Sequence, residues 1–529
     1  MPRFAIKEAP AGVKLRGGYY TPEPVARFLA RWVGAAGNRL LEPACGDGAI
    51  LGPLVEAAGD DVVAVELLPA EATKASQRCE TSVTAADFFS WFTVKRHGSF
   101  DGVAGNPPYI RFGTWDQAHR APALALMESQ GLHPNRLTNA WVPFVVASVL
   151  AVRPGGRVGL VLPAELLQVG YAAPLRSYLV DKCSTITVVS FQQLLFAGIQ
   201  QEVVLLLAEV GPGPAAIRTV EVSDAAQLGE LHLTTPSVRA RLHETEKWTK
   251  YYLDTEAIEV LRAVRADARL PPLRQWAEVD VGVVTGRNGF FCMTAEEARE
   301  RGLANVTIPL VSRSQQVPGL TFTAADLEEQ DQSKARTRLL VIPDNGQALR
   351  TKKVAAYVAA GEEDGIPTGY KCRIRRNWWH VPSVWVPDGF MLRQISTHPR
   401  LSANLTGATS TDTVHRVRVR SGVDMASLAT AAYNSATFAL SEVIGRSYGG
   451  GILELEPSEA EELPVPDPAL VPPAILTKAD DLIRQRRIED ALDLVDHTVL
   501  IDTLGIDPDQ VTACRLAWIR LRDRRISRR

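Results

Sequence analysis

The stretch Phe100-Asp101-Gly102-Val103-Ala104-Gly105-Asn106-Pro107-Pro108-Tyr109 decides the reading of this chain. Its first six residues form a short, mainly apolar run, read as a buried strand, which stops at a polar Asn, two prolines and an aromatic. Such a stop marks a functional loop at the carboxyl end of a parallel strand. The Asn106 side chain offers a carbonyl acceptor, and the backbone carbonyl of Pro107 offers a second at an angle set by the locked φ of Pro108. Two acceptors in one plane suit a nucleobase NH₂. Hydrogen bonds to both of its protons localise a lone pair that the ring otherwise withdraws. Tyr109 is then placed to stack on the base. Taken alone, the tetrapeptide also describes a tight Pro-Pro turn capped by Asn, so the flanking segments have to decide.

Upstream, Tyr20-Thr21-Pro22-Glu23 precedes the helical pattern Val25, Phe28, Leu29, Trp32, Val33, with Thr21 expected as the N-cap and Pro22 at the first helical position. Arg39 to Leu51 then reads as a strand, the glycine loop Glu42-Pro43-Ala44-Cys45-Gly46-Asp47-Gly48 and an apolar helix start. The glycines allow backbone to approach a ligand at a helix N-terminus, although a lone Gly-x-Gly serves many turns. The spacing of the following acids sharpens the reading. Val62 to Val65 is a second buried strand, ending in Glu66, twenty-four residues after Glu42. A doubly wound nucleotide fold places its ribose-binding carboxylate at such a position. Ala85-Ala86-Asp87-Phe88-Phe89 offers a carboxylate for an adenine amine beside an aromatic for its face, or more plainly a loop cap. Leu51 stands where a dinucleotide fingerprint would need a third small residue.

In this order, Tyr-Thr-Pro, Glu-Pro-Ala-Cys-Gly-Asp-Gly, Glu66, Asp87-Phe88 and Asn-Pro-Pro-Tyr resemble the N6-adenine DNA methyltransferases of the Asn-Pro-Pro-Tyr type. These are type II, Eco57I-TaqI-like modification methylases, with the cofactor motifs first and the target-recognition domain last. The resemblance implies S-adenosyl-L-methionine as methyl donor, with Tyr20, Thr21, Glu42, Ala44, Cys45 and Gly46 near its methionine end. It places Glu66 on the ribose, Asp87 and Phe88 on the adenine, and Pro108 close by. Asn106, Pro107 and Tyr109 become catalytic, and Phe196, in Phe196-Ala197-Gly198-Ile199-Gln200-Gln201, resembles the aromatic that packs on a flipped base. Core packing is the other reading of Phe196.

The fold class expected is α/β, a class I methyltransferase with a Rossmann-like mixed sheet. An antiparallel edge hairpin is expected from Glu202–Val210 and Ile217–Val222, joined by Gly211-Pro212-Gly213-Pro214. Residues 1–240 are assigned to this catalytic domain. Residues 241–470, with short alternating strands and Gly/Pro turns, are assigned to a mostly-β DNA target-recognition domain, and 471–529 to a helical segment with a basic tail. The chain as a whole carries a formal charge of −2, which argues against a generally basic nucleic-acid binder. Between Asn345 and Arg420, however, twelve Lys or Arg face five Asp or Glu. The densest piece runs from Lys371 to His380, and Arg373, Arg375 and Trp378 are the expected DNA contacts. Read as a strand, it puts Arg373 and Arg375 on one face and Arg376 on the other.

The six cysteines are scattered without Cys-x-x-Cys, so neither a metal site nor a disulfide framework is expected, and a reducing cytoplasm fits. No apolar run is long enough to cross a bilayer. The expected partners are double-stranded DNA and a separately encoded restriction endonuclease. Cytosine N4, RNA or protein-glutamine methylation presents a similar planar amine. A DNA-recognition subunit without catalysis is the non-enzymatic alternative.

Overall fold

The computed structural model describes residues 21–193, 195–196, 202–233, 247–448 and 450–527. Two compact units divide the chain after Tyr252. The first is built on an eight-stranded sheet of β1 (Leu40–Glu42), β2 (Val62–Glu66), β3 (Val83–Ala85), β4 (Phe100–Gly105), β5 (Val152–Pro163), β6 (Cys183–Phe191), β7 (Val203–Val210) and β8 (Ala216–Val222), in the order β3-β2-β1-β4-β5-β7-β6-β8. The strands from β3 to β5 pair in parallel. β1 and β4 carry near-continuous buried residues because helices cover both faces of a parallel sheet. The order reverses between β1 and β4, and loops at the carboxyl ends there flank a natural ligand crevice.

The antiparallel element is present, but with other partners than expected. β7 runs antiparallel to both β5 and β6, while β8 runs parallel to β6 at the edge. The Gly-Pro-Gly-Pro turn therefore joins β7 to a strand that it does not pair with. The β-branched run Cys183–Phe191, which the sequence reading passed over, fits between them and satisfies both ladders. The first helix is Glu23–Gly34, with Pro22 as its N-cap and no side-chain cap bond. Thr21, expected to cap it, instead turns its hydroxyl to Asn106.

The second unit holds a five-stranded sheet in the order Thr321–Phe322, Leu401–Asn404, Gly389–Leu392, Val414–Val419, Ala277–Asp280. A four-stranded sheet contains Cys292–Met293, Arg338–Leu340, Thr307–Val311 and Thr409–Ser410. Helices are interleaved throughout, including Thr255–Ala266, Lys352–Glu363 and Ser435–Ile444, which the mostly-β reading did not place. The long C-terminal helix Pro508–Ile526 packs on Ser435–Ile444. Two of its arginines are held by buried acids: Arg525 is 3% exposed and pairs with Glu442 of that helix at 2.6 Å, and Arg515 meets Asp496 and also Asp493. All six cysteines are unpaired. No helix among the described residues is long and apolar enough to cross a membrane.

Candidate active site

Four successive strands deliver their end residues to one place. β1 ends on Glu42, β2 ends on Glu66, Asp87 follows β3, and Asn106 follows β4 directly. Together they line a cavity of about 410 Å³, a size suited to a nucleoside-sized ligand. Thr21, Ala44, Cys45, Gly46, Phe88 and Pro108 line it as well. The expected cofactor residues are thus brought together, save Tyr20, which lies outside the described residues.

The glycine loop is held by Glu66. Its Oε2 accepts the Gly46 N–H and its Oε1 the Leu68 N–H, both at 2.9 Å. Gly46 has φ +54, and a Cβ there would meet no atom within 4 Å, so the loop presents open backbone to the cavity. Asp87 caps the short helix Phe88–Trp91 through the Ser90 N–H, and its other oxygen lies 3.1 Å from His119 Nδ1. Phe88 stacks on Phe144 with ring centroids 5.3 Å apart, giving the cavity an aromatic wall.

Glu42 is 2% exposed, and its Oε2 has no hydrogen-bond partner among the described residues. Burial, then the charges of Asp47 and Glu66, push its carboxyl well above the ordinary carboxylate range. Burial first, with Glu42 and Glu66 adding to it, also raises the Cys45 thiol, which makes that thiol an inert wall rather than a nucleophile. Among the described residues, the lining includes Glu42, Asp47, Glu66, Glu71, Asp87 and Asp116 but no Lys or Arg. Such a pocket repels phosphates and favours a ligand of net positive charge. The orphaned Glu42 oxygen, the open Gly46 backbone and the aromatic wall fit S-adenosylmethionine, whose sulfonium and ammonium need anionic partners and whose adenine needs an apolar slot.

At the rim, the Asn106 amide donates through Nδ2 to Thr21 Oγ1 at 3.2 Å, while the Tyr109 hydroxyl lies 3.0 Å from both Asn106 Oδ1 and the Val161 carbonyl and shares its single proton between them. The Asn106 side chain is therefore oriented from both sides. Pro107 is buried and absent from the cavity lining, and Tyr109 and Phe196 pack with the apolar core instead of lining it. His119, Phe144, Trp115 and Asp116 also line the cavity, and the sequence reading named none of them. Phe144 sits in the Trp141–Ala151 helix, which is apolar all round, so no period singles it out.

In the second unit the Lys371–His380 block is not a strand. Tyr370–Arg373 is one helical turn, and the chain then turns again. Arg375 donates to the carbonyls of Val284 and Thr285 at 2.9 and 2.8 Å. Trp378 is 9% exposed, donating its indole N–H to Glu362 among Phe290 and Phe291. Of the three expected DNA contacts, Arg375 is half-buried and braces the neighbouring loop and Trp378 is buried, while Arg373, like Arg376, is exposed.

This sheet, with its donor cavity at the carboxyl ends of β1 to β4, defines a class I S-adenosylmethionine-dependent methyltransferase. Comparison with known proteins makes the class specific. Residues 63–196 match the model of the Eco57I restriction-modification methylase, and residues 245–500 match that of the C-terminal domain of the type II methyltransferase M.Eco57I. The type II methyltransferase M.XamI of Xanthomonas campestris pv. amaranthicola is 24% identical over 85% of each chain. M.AccI of Acinetobacter calcoaceticus is 22% identical over 83% of each. M.TthHB8I of Thermus thermophilus is 35% identical over 31% of this chain and 38% of its own. The type IIL restriction-modification enzyme MmeI, solved in complex with DNA, has a similar fold, with a TM-score of 0.58 and 12% identity over 94% of this chain and 75% of that one. The chain belongs to the Eco57I-type restriction-modification methylases and is a DNA methyltransferase.

Proposed function

We propose that the chain methylates N6 of an adenine flipped out of duplex DNA, as the cytoplasmic modification partner of a separately encoded endonuclease. The observation that carries this reading is Asn106, fixed by Thr21 and Tyr109 at the mouth of the donor cavity. S-adenosylmethionine supplies, when bound, a methyl group on a positively charged sulfur. The chain's own part is to hold the acceptor. Asn106 Oδ1 accepts one N6 proton, and the Pro107 carbonyl accepts the other. Both bonds strengthen as the nitrogen gives up its conjugation, so they stabilise the attacking amine more than the resting one. One N6 proton leaves to water as the new N–C bond completes. Glu66 and Asp87 keep the donor oriented through its hydroxyls and amine. Flipping follows from the donor's burial, because N6 of a stacked adenine cannot reach this cavity. Tyr109 and Phe196, packed at the core in this structure, would have to turn outward to stack on the base.

Labelled methyl transfer to duplex DNA tests the reading. Asn106→Ala should lose more than a hundredfold in turnover with donor affinity unchanged. A rate within tenfold of the native chain would remove Asn106 from the chemistry.

A further inference from the structure

The second unit carries a surface that the charge pattern alone misassigned. Arg375, Cys372 and Trp378 point inward: Arg375 ties the turn to Val284 and Thr285, Cys372 is 1% exposed, and Trp378 closes over Phe290. With these three anchored, the intervening side chains face out. Tyr370 is 66% and Ile374 60% exposed, an unusual degree of exposure for residues of their size. They stand four residues apart across one helical turn, hence on one side of it, with Lys371 Nζ 5.8 Å from the Tyr370 ring centre. The neighbouring loop lies directly alongside. A Cβ on Gly286 would sit 2.6 Å from Lys371 Cβ, and one on Gly369 would sit 2.9 Å from Arg287 Nε. Arg287, Lys371, Arg373 and Arg376 are all exposed, and among the described residues none has a carboxylate within 4.0 Å.

We propose that this surface is a duplex-DNA contact in which Tyr370 and Ile374 press into a groove while Arg287, Lys371, Arg373 and Arg376 hold the flanking phosphates. The inference rests on the chain being a DNA methyltransferase. Unpaired cations around two exposed apolar side chains match the phosphate-and-wedge chemistry of duplex binding. The loop is braced from behind by Arg375, so the contact is preformed, and the arginine that matters is Arg376 rather than its neighbour.

The test is binding of the full chain to duplex DNA carrying its methylation site over a salt series, with donor affinity measured as the control for folding. Arg287→Ala, Arg373→Ala and Arg376→Ala should each lower the slope of log affinity against log salt by about one. Tyr370→Ala should weaken binding by about tenfold with the slope unchanged, and Tyr370→Phe should restore it. Arg376→Ala with native affinity and slope, alongside the same result for Arg373→Ala, overturns the proposal. So does a change in oligomeric state in place of DNA affinity, which would make the surface a self-association face. Failure of the native chain to methylate any DNA is a separate result that strikes the methyltransferase reading itself.

Discussion

Replacing Glu66 with Gln isolates the group that holds the glycine loop. In the native chain each oxygen of this buried carboxylate accepts one backbone N–H, from Gly46 and from Leu68, both at 2.9 Å. Hydrogen bonds to a charged acceptor contribute about 1.5 to 3 kcal/mol each. The substituted amide keeps one acceptor and turns an NH₂ toward the other N–H, so one bond is lost and a donor faces a donor. The local cost is therefore about 1.5 to 3 kcal/mol, or roughly tenfold to a hundredfold in the opening equilibrium of that amide. Hydrogen exchange of the Gly46 and Leu68 amides reads this directly, without needing a two-state melt of a two-unit chain. Donor affinity by titration calorimetry should fall by a comparable factor, since the same carboxylate is the proposed ribose acceptor. Unchanged exchange at both amides would refute the described bonds, and unchanged affinity with altered exchange would move the ribose elsewhere.

Glu42→Gln addresses pH. Because the folded carboxyl is held well above its ordinary value of 4.5, the folded chain keeps a proton that the unfolded chain has lost, so this group's contribution to stability is full below 4.5 and declines as pH rises through the folded value. A cationic donor favours the ionised form, so donor binding should release protons and tighten by up to about tenfold per pH unit across that window. In the Gln variant, calorimetry in buffers of different ionisation enthalpy should detect no proton release from this site, and release equal to the native chain's would contradict the assignment. Tyr109→Phe removes the hydroxyl shared by Asn106 and the Val161 carbonyl, and turnover should drop about tenfold with donor affinity unchanged. Full activity would show that the Tyr109 hydroxyl does not hold Asn106 in its working orientation. Arg525→Met leaves Glu442 buried without its partner, and the second unit should lose about 3 to 5 kcal/mol in denaturant unfolding. A loss below about 1 kcal/mol would mean that the pair is solvated.

The donor site was largely legible in the sequence because each of its parts is local. A strand, its terminal acid and the following turn lie within a few residues of one another, and a parallel sheet gathers all such ends on one edge. Glu66, Asp87 and Asn106 could therefore be singled out at strand ends, and Glu42 through the family resemblance, and all four line one cavity. Sheet order was not legible, since β6 enters between β7 and β8 through pairings that no local pattern encodes. His119 meets Asp87 from thirty-two residues away on another helix, and a single His in a polar segment carries no signal. In the Lys371–His380 block the run of charge suggested a strand with Arg373 and Arg375 on its DNA-facing side and Arg376 turned away. What decided between Arg375 and Arg376 was which one found backbone carbonyls to satisfy, and that depends on the Val284–Thr285 loop ninety residues upstream.

The central claim is that this cavity and Asn106 together place a methyl group on N6 of adenine in DNA. Single-molecule detection of modified bases on DNA from cells producing the chain, beside cells producing Asn106→Ala, tests it most directly. The account predicts N6-methyladenine at one fixed position of one short sequence in the first and none in the second. N4-methylcytosine at a fixed sequence, or the same adenine mark from both, would contradict it.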